Sequence, residues 1–357
     1  MKSTRSSSGR STWVIPALVT VLVTSAWLGL HGDSVMARER KEPERTQSGA
    51  RVTFSSLKDW NVKAENLSPR GHNPLYFPLT PGFRYIMEYP DHPWGHLRVE
   101  VMVLDKTEPC DVPGIGKFEC AVVQEELFLD GVYAEQALNW VAIDKTTNNL
   151  YYFGELSWEI DQLGRKVFAG TWRAGDPDGD GIAEPGLLMP GTFNVGARYV
   201  SEGHEAEAYE YTENIEKGLT ITVPAGTFKD CVRTREYSLK NPALISDKFW
   251  CRGVGIVKDT AEGELVASDA LPGTDMSSFG KHHREARKQT TPPVPKVTSQ
   301  QAREIALKEV PGKVASMKIE RFGKYNVYAV EIVAEKDGVE TDVFVDIESG
   351  KVVGTDK

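Results

Sequence analysis

The sequence predicts a mainly β protein, an antiparallel sandwich or a curved barrel-like sheet, with a small C-terminal α+β domain. Short runs mixing β-branched and aromatic residues recur from Arg84 to Lys258, cut by Gly, Pro, Asn and Asp. Helical periodicity is nearly absent there and returns only after Thr298. A spacer containing Thr290-Thr291-Pro292-Pro293-Val294-Pro295 lies between the two regions, and such a stretch has little to bury and stays extended.

Before the strands comes an address. Lys2, Arg5 and Arg10 precede the apolar run Trp13–Leu30, and Val35-Met36-Ala37 offers small residues for a signal peptidase. Residues 1–37 read as a secretory signal peptide, which makes the chain periplasmic or secreted. The alternative is an uncleaved anchor, because 18 residues is about the threshold for a span; only then is the membrane a partner. Pro16, Thr20, Thr24 and Ser25 weaken that reading. Residues 38–72 are polar and without a sustained period, and read as a flexible lead-in.

Export gives the four cysteines a structural meaning. Cys110, Cys120, Cys231 and Cys251 can pair in three ways. Local pairing, Cys110 with Cys120 and Cys231 with Cys251, closes the shortest loops. Spacing does not exclude the others, and no C-x-x-C suggests zinc.

The body is expected over 73–270. Its strands are expected at Arg84–Tyr89, Leu97–Leu104, Cys120–Phe128, Val132–Ile143 and Leu150–Phe153. Val167–Trp172, Ala197–Val200, Glu207–Asn214, Leu219–Val223, Cys231–Leu239, Lys248–Cys251 and Gly255–Lys258 continue the series. Turns are expected at Asp130-Gly131, Asn148-Asn149, Lys217-Gly218 and Pro224-Ala225-Gly226. This region carries 17 Lys+Arg against 32 Asp+Glu, a net of −15 within a chain whose net is −9. Such a surface repels phosphates, so nucleic acid is not an expected partner.

After the linker 271–296, residues 297–357 form a compact unit. Thr298 is an N-cap and Gln301 completes a capping box. Ala302, Ile305, Ala306 and Val310 share one helical face, and Pro311-Gly312 stops the helix. Strands follow at Val314–Phe322, Tyr325–Ala334, Val339–Ile347 and Lys351–Val353, with tight turns at Asp337-Gly338 and Ser349-Gly350.

Over these residues, from Thr298-Ser299-Gln300-Gln301-Ala302 to Asp346-Ile347-Glu348-Ser349-Gly350-Lys351, the segment resembles a PepSY domain. The resemblance implies an extracytoplasmic interaction module that restrains a peptidase or engages another envelope protein, with no catalytic residue to carry over. The body is similar, at Pro78-Leu79-Thr80-Pro81-Gly82, Tyr151-Tyr152-Phe153-Gly154-Glu155, Met189-Pro190-Gly191 and Gly253-Val254-Gly255, to uncharacterised exported bacterial β-rich proteins, which supply no activity.

One motif carries a mechanism of its own. In Asp176-Pro177-Asp178-Gly179-Asp180-Gly181-Ile182-Ala183-Glu184, carboxylates at alternate positions are folded back by Gly181. Asp176, Asp178, Asp180, the Ile182 carbonyl and Glu184 are candidate calcium ligands, since calcium takes about 6–8 hard oxygens. A solvated acidic turn is the alternative, and Leu187 and Pro185 depart from the EF-hand pattern. His92 and His96 are separated by Pro93 and Gly95, which oppose a shared helical face. Trp140, Trp158, Trp172, Tyr151, Tyr152 and Phe153 are expected in the core, or lining a lumen if the sheet curves far enough. No G-x-S-x-G elbow, P-loop or H-E-x-x-H is present. The expected function is therefore an exported non-enzymatic binding protein. The alternatives are a carboxylate-based hydrolase and a carrier of a small apolar ligand.

Overall fold

The computed structural model describes residues 54–160, 166–179, 181–205, 207–241, 243–281, 295–323 and 325–356. The signal segment, Asp180 and spacer residues 282–294 lie outside them.

Two antiparallel meanders make the body. The first contains β1 (Leu67–Ser68), β2 (Arg84–Tyr89), β3 (Leu97–Val112), β4 (Gly116–Leu129), β5 (Val132–Asp144) and β6 (Leu150–Ile160), then the short β7 (Lys166–Phe168), β8 (Trp172–Arg173) and β9 (Gly186–Met189). The second contains β10 (Arg198–His204), β11 (Ala208–Val223), β12 (Gly226–Ser238), β13 (Ile245–Cys251), β14 (Gly255–Asp259) and β15 (Gly263–Ser268). Pairing of β15 with β2 joins them into one 15-stranded sheet running from β10 to β7, with β1 on β5, and β8 and β9 on β6. The sheet is open in its hydrogen-bond order.

Its hairpins follow from turn chemistry. Asp130 (φ 50) and Gly131 (φ 75) give the two left-handed residues that a tight β4–β5 turn requires. Between Glu207 and Val223 the expected turn at Lys217-Gly218 is instead a bulge inside one long strand, with the register shifting between Lys217 and Leu219. Residues 54–72 are not a loose lead-in, because the backbone bonds Ser55 to Arg198 and Val200 and pairs Leu67 with Asp144. Trp60 also packs on Tyr151, with ring centroids 5.6 Å apart. The start of the expected linker is likewise seated, through Gly280 N–H donating to Glu100 Oε2 at 2.7 Å.

Curvature brings the sheet's two ends together. Glu184, just before β9, bridges Gly203 of β10. The approach is so close that a Cβ on Gly186 would lie 1.7 Å from the Ser201 carbonyl oxygen, and one on Gly203 would lie 2.4 Å from that of Glu184. Glycine is needed at both positions because backbone occupies the space a side chain would take. This seam turns an open sheet into a nearly closed wall.

The C-terminal domain is built as its sequence reads. Helix α1 (Ser299–Glu309) starts at Thr298, whose hydroxyl accepts from Gln301 N–H while the Gln301 side chain accepts from Thr298 N–H. Strands β16 (Gly312–Phe322), β17 (Tyr325–Ala334), β18 (Glu340–Asp346) and β19 (Val352–Asp356) form a separate four-stranded sheet in sequence order. Ala302 and Ala306 of α1, with Val330, Ile332, Val343 and Val345 of the sheet, are buried in one cluster. Val327, Ala329 and Phe344 form a second small cluster on the other face, where Phe322 stacks on Phe344 at 4.2 Å. Among the described residues no helix is long and apolar enough to cross a membrane.

Candidate functional site

Strand alternation decides what the curved wall encloses. On β11, Ala208, Glu210, Thr212 and Asn214 are buried, while Tyr209, Tyr211 and Glu213 are less so. Tyr211 instead stacks on Tyr237 at 4.6 Å and packs on Phe54 at 4.2 Å. The aromatic stripe therefore lies outside and the carboxylate stripe inside, inverting the usual binary pattern. The same inward set continues on neighbouring strands. Glu202 of β10 sits opposite Glu210 in register, Glu236 of β12 lies diagonally beside Glu210, and Lys248 of β13 sits opposite Asp259 of β14.

From β4, β5 and β6, the buried Glu125, Glu135 and Glu155 face the same interior, because each feels the charge of carboxylates or Lys248 across it. Burial, then the neighbouring carboxylates, push Glu125, Glu135, Glu155 and Glu202 well above the ordinary carboxylate range. Burial raises Glu210 to about 8 and Asp259 to about 7, with Lys248 opposing both shifts. Burial alone would lower Lys248, but Glu236, Asp259 and Glu262 hold it charged, with Glu236 Oε2 2.6 Å from its Nζ.

Satisfaction within this cluster is incomplete. Among the described residues, no donor lies within hydrogen-bond geometry of either carboxylate oxygen of Glu202 or of Glu125 Oε1, and the Tyr152 hydroxyl is the polar group nearest in effect to Glu155. The Tyr152 hydroxyl, which faces Glu155, donates to Asn139 Oδ1 at 2.7 Å. Glu155 and Glu202 are 0% and 1% exposed. Such groups cost free energy unless neutralised.

A cleft lies at one end of this carboxylate row. About 260 Å³ in volume, it is lined by Tyr89, His92, Trp94, Glu210, Glu236 and Ser246 among others. His92 meets Tyr89 and Trp94 edge-on, at 5.3 and 5.2 Å, and burial lowers its pKa, favouring the neutral ring. His96 does not join it; its Nε2 lies 3.5 Å from Glu88 Oε2.

The acidic loop has another setting. Asp178 is buried, and its Oδ1 accepts from Gly181 N–H at 2.9 Å while its Oδ2 accepts from Glu205 N–H at 3.3 Å. Asp176 faces Ser299 at the start of α1, together with Arg173 and Arg303, and burial raises its pKa to about 6 against those three partners. Ile182 is exposed and Glu184 joins the seam. Among the described residues, no three His, Cys, Asp or Glu side chains come close enough to share a metal ion. The expected calcium set also includes Asp180, which lies outside the described residues.

What the loop does hold is the C-terminal domain. Gly179 N–H donates to the Ala315 carbonyl at 3.1 Å and Asp178 bridges Ser316. Ala315 sits at a bulge of β16, where the register shifts between Val314 and Ser316, and a bulge turns a carbonyl away from its own ladder. Beneath the contact, Arg173 stacks over Trp140 at 3.9 Å and donates to the Pro109 carbonyl at 2.7 Å.

Cys110 is bonded to Cys120, and Cys231 to Cys251. Both bridges join neighbouring strands, β3 to β4 and β12 to β13, and accord with an extracytoplasmic compartment. The aromatics expected in the core, Trp140, Trp158, Trp172, Tyr151, Tyr152 and Phe153, are all buried.

Residues 296–356 match the PepSY family, described as the peptidase propeptide and YPEB domain. No curated protein matches the chain. Among solved structures, a crystal structure from Parabacteroides distasonis ATCC 8503, of a protein provisionally assigned as a lipoprotein, is similar at 12% identity. It covers 55% of this chain and 96% of that one, with a TM-score of 0.25. The C-terminal 296–356 of this chain is a PepSY domain, docked by an acidic loop onto a β body with a carboxylate-lined interior.

Proposed function

We propose that the protein works in the periplasm or as a secreted protein, as a binding protein without catalysis of its own. Its PepSY domain restrains a peptidase or engages another envelope protein, and the β body is the rigid mount. The observation that carries this reading is the dock. One edge of the PepSY sheet, β16, is closed by residues 178–179, while the opposite edge strand, β19, pairs among the described residues with β18 alone. An edge strand presents unpaired backbone groups to which a partner's strand can add. The exposed Phe322 and Tyr325 at the β16–β17 turn add apolar surface beside it. Adding the full-length protein to a fraction of exported peptidases, read with a fluorescent casein substrate, should slow proteolysis at least threefold. Undiminished proteolysis in every fraction would remove the peptidase from the account.

A hydrolase is the second reading, and the cleft favours it. Glu210, protonated up to about pH 8 through burial, is suited to general acid work beside Glu236. Against it, Glu236 is held by Lys248 at 2.6 Å. Turnover of chromogenic glycosides or esters that disappears in Glu210→Gln would establish this reading in place of the first.

A further inference from the structure

The cleft beside Tyr89 shares no residue with the PepSY dock, so its occupant is a matter apart from the peptidase. Two carboxylates line its 260 Å³, Glu210 of β11 and Glu236 of β12. Glu236 has its counter-charge in Lys248, with Nζ at 2.6 Å. Glu210 has no equivalent. Among the described residues no hydrogen-bond donor reaches its carboxylate and no cation lies within ion-pair distance, although only 8% of the residue is exposed. Unlike those of Glu202, its oxygens are not sealed, and the space they face is the cleft.

We propose that this cleft binds a small organic amine in its protonated form, with Glu210 receiving the ammonium group and Tyr89, His92 and Trp94 packing beside the carbon skeleton. An open carboxylate needs N–H donors, which a primary ammonium has and a quaternary one lacks. A metal ion fits poorly, since among the described residues no three His, Cys, Asp or Glu side chains come close enough to share one. Aromatic rings attract organic cations, and three of them line this space. Burial favours the neutral ring of His92, so it does not repel a positive charge. Leu244 and Ile245 add apolar wall for a hydrocarbon tail, and the body's net charge of −15 draws cations toward it.

Size and rigidity narrow the guest further. At about 30 Å³ for a water in the liquid, 260 Å³ has room for about nine heavy atoms, which suits a short alkylamine or an arylalkylamine. The loop that carries His92 and Trp94 is already fixed. Gly95 N–H donates to the His92 carbonyl at 3.0 Å, and His96 N–H donates to Asp130 Oδ1 at 2.8 Å. A preformed wall of this kind has little freedom left to lose when a ligand enters.

The test is isothermal titration of the full-length protein at pH 8.5, above the value of about 8 to which burial and then Glu236 raise Glu210, so that its carboxylate is largely ionised. The titrants are phenethylamine, its neutral counterpart 2-phenylethanol, and Nα-acetyl-lysine amide. Phenethylamine should bind at least tenfold more tightly than 2-phenylethanol. Glu210→Gln should erase that preference while melting no lower than the parent, which separates lost recognition from lost folding. Trp94→Ala, on a loop outside the sheet, should weaken phenethylamine at least threefold. Tighter binding of the lysine derivative than of phenethylamine supports a protein's lysine side chain as the source of the amine, and the reverse order supports a free amine; either must be lost in Glu210→Gln. Binding is read without turnover, so the outcome is separate from that of the hydrolase reading. Silence of both amines, equal binding of the alcohol, or a preference for the amine that survives Glu210→Gln overturns the proposal.

Discussion

Gly179 of the β body donates its backbone N–H to the carbonyl of Ala315 in the PepSY sheet, 3.1 Å away. That bond replaces a β-ladder partner at an edge that would otherwise be bare, and the carboxylate of Asp178 keeps the loop in shape behind it. The acidic motif, which by composition suggests a metal, is here a clasp between two domains.

Calcium in the loop is tested by heat. Both Asp178 oxygens already accept backbone N–H bonds, so millimolar calcium should leave the melting temperature unchanged. Asp178→Ala should lower it by a few degrees without calcium, since the backbone amides of Gly181 and Glu205 lose their acceptor. A calcium-dependent rise that vanishes in Asp178→Ala would instead put the ion in the loop.

The clasp carries its own acid dependence. Asp176 is raised from 3.8 to about 6, first by burial, with Ser299, Arg173 and Arg303 opposing. Its folded pKa lies above the unfolded value, so its contribution to stability is full below about pH 4 and is lost as pH rises through about 6. The shift corresponds to about 3 kcal/mol. Asp176→Asn should flatten the difference in stability between pH 4 and pH 7, measured by urea unfolding beside the parent.

A larger slope of the same sign comes from the buried carboxylate cluster. Glu210, raised to about 8, and Asp259, to about 7, are shifted first by burial. Their stabilising contribution is complete below the unfolded carboxylate range and disappears as pH climbs through 7 and 8. The protein should therefore melt lower at pH 8.5 than at pH 5.5. Glu155→Gln should raise melting at pH 8.5 by a few degrees, because a neutral amide replaces a buried group that would have to ionise. A melting temperature independent of pH across that interval would contradict the buried carboxylates.

Gly186→Ala should be severely destabilising. The added carbon would lie 1.7 Å from the Ser201 carbonyl, which is backbone and can yield only if β10 moves. Overpacking costs about 1–3 kcal/mol or more, and chemical unfolding should show at least that loss.

The C-terminal domain was legible nearly residue by residue. A capping box, one apolar helical stripe and two glycine turns act locally, and Thr298, Ala302 and Gly350 sit where that chemistry requires. Most of the strand series in the body was also readable, because turns such as Asp130-Gly131 are local too. Leu67–Ser68, Gly186–Met189 and Gly263–Ser268 were missed, however, and the two strands expected between Glu207 and Val223 are one. Strand ends were less so: Leu97–Val112 runs eight residues beyond Leu104, since bulges let a ladder continue through Asp105 and Lys106. The buried carboxylate cluster escaped altogether. In Ala208–Asn214, tyrosines alternate with Glu210 and Thr212, and pattern alone assigns the tyrosines to the interior. Which face of a strand turns inward depends on distant partners, here Phe54 and Tyr237 covering Tyr211 from outside. The dock escaped for a similar reason, because nothing local in Asp176–Glu184 announces Arg303 as a neighbour.

Strand β10 presents Glu202 to the interior, and Glu205, just past its end, offers its amide to Asp178 in the clasp. A change of packing around Glu202 that shifts this strand would therefore be felt at the fastening of the appended module, three residues further along the chain.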